Sequence, residues 1–427
     1  MQEGRRIFET ESLDDALTGG LNPTIATTVA GAATAMRITP AKSPSYQQLV
    51  TWILQPEVVK TLDGNNIGRI LHAELVLADP KLFEVLFTYL WRVVELAPTF
   101  NGIACAMILN AYGRSGIHHD RLYEVMCERA KTALKEDSIT IAHVANVANA
   151  LSRVQVRDAA LFDVLRDLAI KFQKQAPPLV MTTILDAFSS VGIVDPDLFT
   201  LYEAALAEQI AQCSAPLMTS ILNSLVKANR TKSPLFSQCA VRAVTIASTY
   251  DASSIAKSLD AFYQAGHLSE EFFGSMAERA CKVAADFRPD EIHLTLRTLS
   301  HFELFDAELF PVLASRLVSI AKVNRSIPPE DVVGIVSSFA AVRERHDELI
   351  HTCSLLMKPY LEAMRPELFT ELLWAFGELN LRSETTRSMV TLVRNKQVRL
   401  ATPSGDATKD EVLQKRLTVI KQVYGLE

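Results

Sequence analysis

Apolar and polar positions follow a helical period along most of the chain, and the pattern returns. The stretch Ile184 to Phe199, ILDAFSSVGIVDPDLF, reappears as SLDAFYQAGHLSEEFF from Ser258 and in part as ELLWAFGELNLRS from Glu371. With the small residue Ala187 as an anchor, equivalents fall at Ala73, Ala111, Ala150, Ser224, Ala261, Thr298, Ser338 and Ala375, in steps of 37 to 40 residues. A fixed period of this length marks an array of like units. A weaker copy surrounds Ala35.

Each unit reads as two helices. Two and three residues before the anchor the chain is mostly apolar, as in Ile108-Leu109, Ile184-Leu185, Ile221-Leu222 and Leu372-Leu373. One residue after it often stands an aromatic residue or Leu, as at Tyr112, Leu151, Phe188, Phe262, Phe339 and Phe376. That is one face of a first helix, A. An apolar pair opens a second helix, B, eleven residues past most anchors, as in Leu122-Tyr123, Leu161-Phe162, Leu198-Phe199 and Leu309-Phe310. Pro178, Pro289, Pro329 and Pro366 stand where helix A begins, with Pro216 one place off, and a missing N–H costs nothing there. Asp158, Asp195, Ser269 and Asp306 stand where helix B needs a cap. His119 and His346 share that column, so the polar runs at 118–120 and 346–353 read as caps and loop groups rather than a metal site.

Hairpins that cannot bury both faces alone must stack. The expected fold is therefore all-α: an α-solenoid of about nine to ten helix-turn-helix repeats of ~37 residues spanning 26–400. An N-terminal extension at 1–25 precedes it, and a linker with a short C-terminal helix, Asp410 to Tyr424, makes up 401–427.

Composition narrows the function. The 427 residues are 48% hydrophobic and 22% charged, as in a folded chain. No apolar run reaches the ~18 residues of a membrane helix; the segment Leu82 to Leu96 is broken by Glu84, Arg92 and Glu95. Only 16 glycines argue against phosphate loops of the dinucleotide-binding kind. The six cysteines include no CxxC and no close pair, so they read as reduced, small apolar residues in a reducing compartment. Five acids in the first 17 residues disfavour a transit peptide. No GxSxG, GxxxxGK[ST] or HExxH motif is present, so no enzyme, cofactor, metal or small-molecule substrate is expected. The formal charge of −6 excludes a globally basic nucleic-acid binder, although eight basic residues face four acidic ones from Arg387 onward.

In a solenoid, function is sought in columns. The residue before each anchor gives His72, Asn110, Asn149, Asp186, Asn223, Asp260, Arg297, Ser337 and Trp374. One turn onward come Arg114, Arg153, Ser190, Lys227, Gln264 and His301. Three units thus pair an amide with a cation: Asn110 with Arg114, Asn149 with Arg153, and Asn223 with Lys227. One reading is a strip on single-stranded RNA, with amides bonding base edges and cations meeting phosphates or stacking on bases. Arg297 joins that strip, and the C-terminal run Arg394, Lys396 and Arg399 is a second candidate. The other reading is a ladder in which these side chains tie each helix to the next. Asp186 and Asp260 weigh against a uniformly phosphate-attracting groove.

The motif of small-aromatic, turn, then Asp-x-x-Leu-Phe, as in LLWAFGELN and ILDAFSSVGIVDPDLF, resembles the organellar octotricopeptide and heptatricopeptide repeats, including those of the FAST-kinase-like family. The resemblance covers about residues 60–390. It implies a mitochondrial or plastid protein acting in RNA processing, stability, editing or ribosome assembly. No strand-rich segment like the RAP domain of many such proteins follows Arg399. Some relatives in kinetoplastid mitochondria look like subunits of guide-RNA or mitoribosome assemblies. The implied partners are other protein subunits of a ribonucleoprotein complex and single-stranded RNA. The implied role is a non-catalytic subunit of a mitochondrial RNA-processing or editing assembly, or alternatively a protein-only scaffold or assembly subunit of a mitochondrial ribosome.

Overall fold

The computed structural model describes residues 50–77, 82–136 and 138–426. The copy around Ala35 and the extension at 1–25 lie outside the described residues. Twenty whole α-helices, the end of a further one at 50–53 and no strands occur among those described, and the chain divides into two units, 1–209 and 210–427.

The first unit opens with α1 (Pro56–Thr61), followed by four hairpins. Their A helices are α2 (Gly64–Leu77), α4 (Gly102–Ser115), α6 (Ile141–Arg153) and α8 (Pro178–Ser190). Their B helices are α3 (Leu82–Leu96), α5 (Asp120–Ala133), α7 (Ala159–Lys171) and α9 (Pro196–Gln209). The second unit has the A helices α10 (Ala215–Lys227), α12 (Ala252–Ala265), α14 (Pro289–His301), α16 (Pro329–Ala341) and α18 (Pro366–Glu378). It has the B helices α11 (Leu235–Thr245), α13 (Glu270–Lys282), α15 (Leu309–Val323), α17 (Asp347–Met357) and α19 (Glu384–Arg394), and a final helix, α20 (Ala407–Tyr424). Within each unit A helices pack on A helices and B on B, the A row more intimately. Each unit is an all-α solenoid stack.

The anchors explain the tight A row. Ala111, Ala150 and Ala187 in the first unit, and Ser224, Ala261, Thr298, Ser338 and Ala375 in the second, are all buried. A Cβ at Gly113 would stand 2.6 Å from the Ala150 Cα, so the backbones of α4 and α6 nearly touch there. Aromatic residues seal one repeat on the next: Phe162 meets Phe188 edge-on at 4.9 Å, and Phe310 meets Phe339 at 5.3 Å. Three B-helix arginines reach back to the loop before helix A, where Arg129, Arg279 and Arg316 donate Nε–H to the carbonyls of Phe100, Tyr250 and Phe287 at 2.6–3.1 Å.

Helix starts follow the sequence. Pro178, Pro289, Pro329 and Pro366 open their A helices. Asp158, Asp195 and Asp306 each accept the backbone N–H three residues on, at 2.8–3.0 Å. His119 and His346 do the same through Nδ1 at 3.2 Å. Ser269 takes the N-cap position of α13, but its hydroxyl accepts no capping bond; Glu270 and Glu271 in the first turn offset the helix dipole there instead.

Helix ends carry a column the sequence did not announce. Five residues past every described anchor from Ala111 on, the backbone turns left-handed: Gly116, Gln155, Gly192, Asn229, Gly266, Glu303, Arg343 and Asn380, with φ of 51° to 71°. In each repeat the next residue donates its N–H back to the carbonyl one past the anchor, as Ile117 to Tyr112 and Leu304 to Leu299. This is a Schellman closure, repeated eight times.

The tail is bound to the array. Helix α20 begins at Ala407, three residues before the expected start, with the Asp406 carboxylate capping Thr408 and Lys409. It lies against α18, as a further A helix would. Arg416 pairs with Glu371 at 3.0 Å, and the Ala401 N–H donates to Thr370 Oγ1 at 2.8 Å.

Candidate nucleic-acid interface

The A helices position the column. Residues one before the anchor sit at the edge of the buried face, and residues three after it reach solvent. In the first unit Asn110 is buried, Asn149 and Asp186 are half-buried, and Arg114 and Arg153 are exposed one turn on. Arg69, four residues before Ala73 on α2, is exposed on the same stripe. The repeat pattern did not single it out, because it stands one turn before the anchor rather than beside or after it. Among the described residues Arg69, Arg114 and Arg153 make no ion pair or hydrogen bond through their guanidinium groups. Three consecutive A helices therefore present one cation each that is uncompensated among the described residues.

The second unit treats the same column differently. Arg297 on α14 pairs with Asp260 on α12, and its guanidinium stands 4.8 Å from the centre of the Tyr263 ring. Gln264 donates to the other Asp260 oxygen at 2.7 Å. His293 meets Asp331 at 3.2 Å, Arg365 meets Glu330 at 2.9 Å, and Arg343 meets Glu378 at 3.2 Å. Arg416 stands 5.0 Å from the Trp374 ring and pairs with Glu371. Each A helix from α12 to α20 is thus tied to the next by polar side chains, through ion pairs at every step except α14 to α16, where His293 meets Asp331. Asn223 turns its amide to the Thr219 carbonyl of its own helix at 2.9 Å, and Lys227 is exposed. Beside them, Thr219 Oγ1 and Ser258 Oγ meet at 2.8 Å and link α10 to α12.

A cavity of about 750 Å³ lies along this A row, walled by Tyr263, Trp374 and the final helix. Its cations Arg297, Lys409 and Arg416 face four carboxylates, Glu330, Glu367, Glu371 and Asp410. That balance gives a phosphate no net attraction. Of the C-terminal candidates, Arg394 donates to the Tyr424 carbonyl at 3.1 Å and so holds α20. Lys396 sits in a left-handed turn after α19, and both it and Arg399 are exposed.

Asp260 and Arg297 thus tie α12 to α14, whereas Arg114 and Arg153, one turn from Asn110 and Asn149, have no ion pair among the described residues. The thiols are chemically quiet: burial pushes Cys105 and Cys127 up to about 12, and Cys239 and Cys353 also upward. Among the described residues no group of three or more His, Cys, Asp or Glu is placed to hold a metal ion. None of the described helices is long and apolar enough to cross a membrane.

A search of curated proteins finds no match. Among solved structures, a chain from a homology model of the full-length AP-3 complex in an intermediate open conformation is 12% identical. The match covers 96% of this chain and 86% of that one, with a TM-score of 0.20, and carries no argument about fold or function. A family model gives the decisive match, over residues 46–384, which include every hairpin from α2 to α17 and the A helix α18. The chain belongs to the RNA-editing substrate-binding complex 6 protein family.

Proposed function

We propose that the chain is a non-catalytic subunit of a mitochondrial RNA-editing assembly of the kinetoplastid kind, and that its first unit contacts single-stranded RNA along the A helices. The observation that carries the RNA contact is the row Arg69, Arg114 and Arg153, uncompensated among the described residues and set against the ion-paired row of the second unit. Guanidinium groups neutralise phosphates and stack on bases, and the half-buried Asn149 stands one turn from Arg153 with an amide suited to a base edge, whereas Asn110 is buried. Arg297 and Asn223 take no part, because both are held within the second unit, and Lys227 continues the column on the first A helix of that unit rather than in the first unit. Family membership favours an editing assembly over the mitoribosomal alternative.

The test is a titration of the full chain with single-stranded RNA at about 50 and about 200 mM salt. Arg114→Glu with Arg153→Glu is expected to weaken binding at least tenfold at the lower salt. Arg325→Glu, an exposed loop residue of the second unit, should leave it unchanged. Equal affinity in all three chains would remove the assignment.

A further inference from the structure

Helix α3 breaks the rule that its sister helices obey. Its exposed residues Phe83, Phe87 and Trp91 are 53%, 60% and 67% exposed. They are spaced by four, so they form one ridge along the helix, ~12 Å long at 1.5 Å per residue. The equivalent positions of α5 are Asp120, Glu124 and Glu128, and those of α13 are Glu270, Gly274 and Glu278, all exposed. On α7 they are Ala159, Asp163 and Asp167. Later repeats put single apolar residues there, such as Val241 and Leu355, but no other puts three aromatics in line. The column is solvated surface elsewhere in the array, so large aromatic residues in it gain nothing from the fold. Among the described residues the Trp91 ring meets another ring only edge-on, that of His119 at 5.4 Å.

The surroundings specify what would cover the ridge. Glu84 and Glu95 flank it on α3, and the acids of α5 lie on the neighbouring helix. Among the described residues Arg92 pairs with Glu95, Arg121 with Glu124, and Lys131 with Glu128 and Asp158, which leaves Glu84 and Asp120 as the margin's acids without an ion pair. A straight row at four-residue spacing is the surface into which a helix packs its own ridges. Glu84 and Asp120 then select basic flanks on that helix.

We propose that Phe83, Phe87 and Trp91 dock an amphipathic helix of another protein subunit, apolar at helical spacing on one face and rich in Lys or Arg beside it. The inference rests on the reading that the chain works inside a larger assembly, but not on RNA contact by the A helices.

A photo-crosslinking residue bearing a benzophenone, placed at position 87 of the full chain within the co-purified assembly, tests the docking. The expected adduct is with a different polypeptide, at a segment with large apolar residues at helical spacing and basic residues at its margins. The same residue placed at position 274, in the equivalent column of α13, should give no such adduct. Phe83→Ser, Phe87→Ser and Trp91→Ser together should lower recovery of that polypeptide at least tenfold. These side chains are exposed, so the helical circular-dichroism melt should be unmoved. An adduct with the same chain, with a second copy or with RNA would overturn the proposal, as would no adduct or unchanged recovery. RNA affinity measured on the triple serine variant separates the two readings, since it should match the unaltered chain whether or not docking holds.

Discussion

The left-handed closure after each A helix makes a prediction that runs against the usual direction of mutational effects. Three of its eight positions are held by Gln155, Glu303 and Arg343, side chains with φ of 55° to 58°. An L residue in that region costs ~1–2 kcal/mol, and glycine avoids this at an unfolded-state entropy cost of ~0.5–1 kcal/mol. Glu303 is the cleanest site, because it is exposed and its side chain makes no ion pair or hydrogen bond among the described residues. Glu303→Gly should therefore stabilise the second unit by about 0.5–1 kcal/mol. Gly266→Ala is the converse. An added Cβ there meets nothing within 4 Å, so the cost of about 1 kcal/mol comes from the backbone alone. Urea unfolding followed by helical circular dichroism reads both as opposite shifts of the midpoint. A lowered midpoint for Glu303→Gly, or an unmoved one for Gly266→Ala, would refute the reasoning.

Three further outcomes follow from the packing and the charges. Gly113→Val forces a side chain against the Ala150 backbone and should destabilise the chain by about 1–3 kcal/mol in the same unfolding assay; an unchanged midpoint would mean that α4 and α6 do not touch as described. A double-mutant cycle on Asp260→Asn and Arg297→Gln should give a coupling of about 0.5–1 kcal/mol, since the pair is partly exposed, while Arg297→Gln leaves RNA affinity unchanged. Because burial raises Cys105 and Cys127 to about 12, the folded chain keeps those protons where an unfolded thiol loses them near ~8.5. Their contribution to stability is complete below about pH 8.5 and is lost as pH rises toward 12, so the urea midpoint should fall over that window. In the native chain iodoacetamide should modify Cys281, which is only half-buried, before the other five.

Much of the fold was legible because each local rule repeats. Ala111, Ala187 and Ala261 are small where helices meet, Asp158 and Asp195 stand where N–H groups need an acceptor, and Pro178 and Pro366 stand where none is lost. The left-handed column was not legible, because only three of its eight positions are glycine and the conformation is imposed by the closing hydrogen bonds. The start of α20 was read late because Ala407 to Lys409 are exposed and carry no apolar period. Asp260 and Arg297 were placed in one column, yet their pairing depends on the register of adjacent helices, which spacing alone does not give. The ridge on α3 escaped for a related reason: a hydrophobic count over Leu82 to Leu96 bears on membrane length, but it does not separate the buried face, Val85, Leu86 and Tyr89, from the exposed one.

The most direct test of the functional account is the salt dependence of RNA affinity. For single strands the slope of log K against log salt changes by ~0.7 for each phosphate that the protein ceases to neutralise. With Arg69, Arg114 and Arg153 all changed to Gln, the account predicts a slope shallower by about 2 and a matching drop in affinity at low salt. A slope identical to that of the unaltered chain would contradict it.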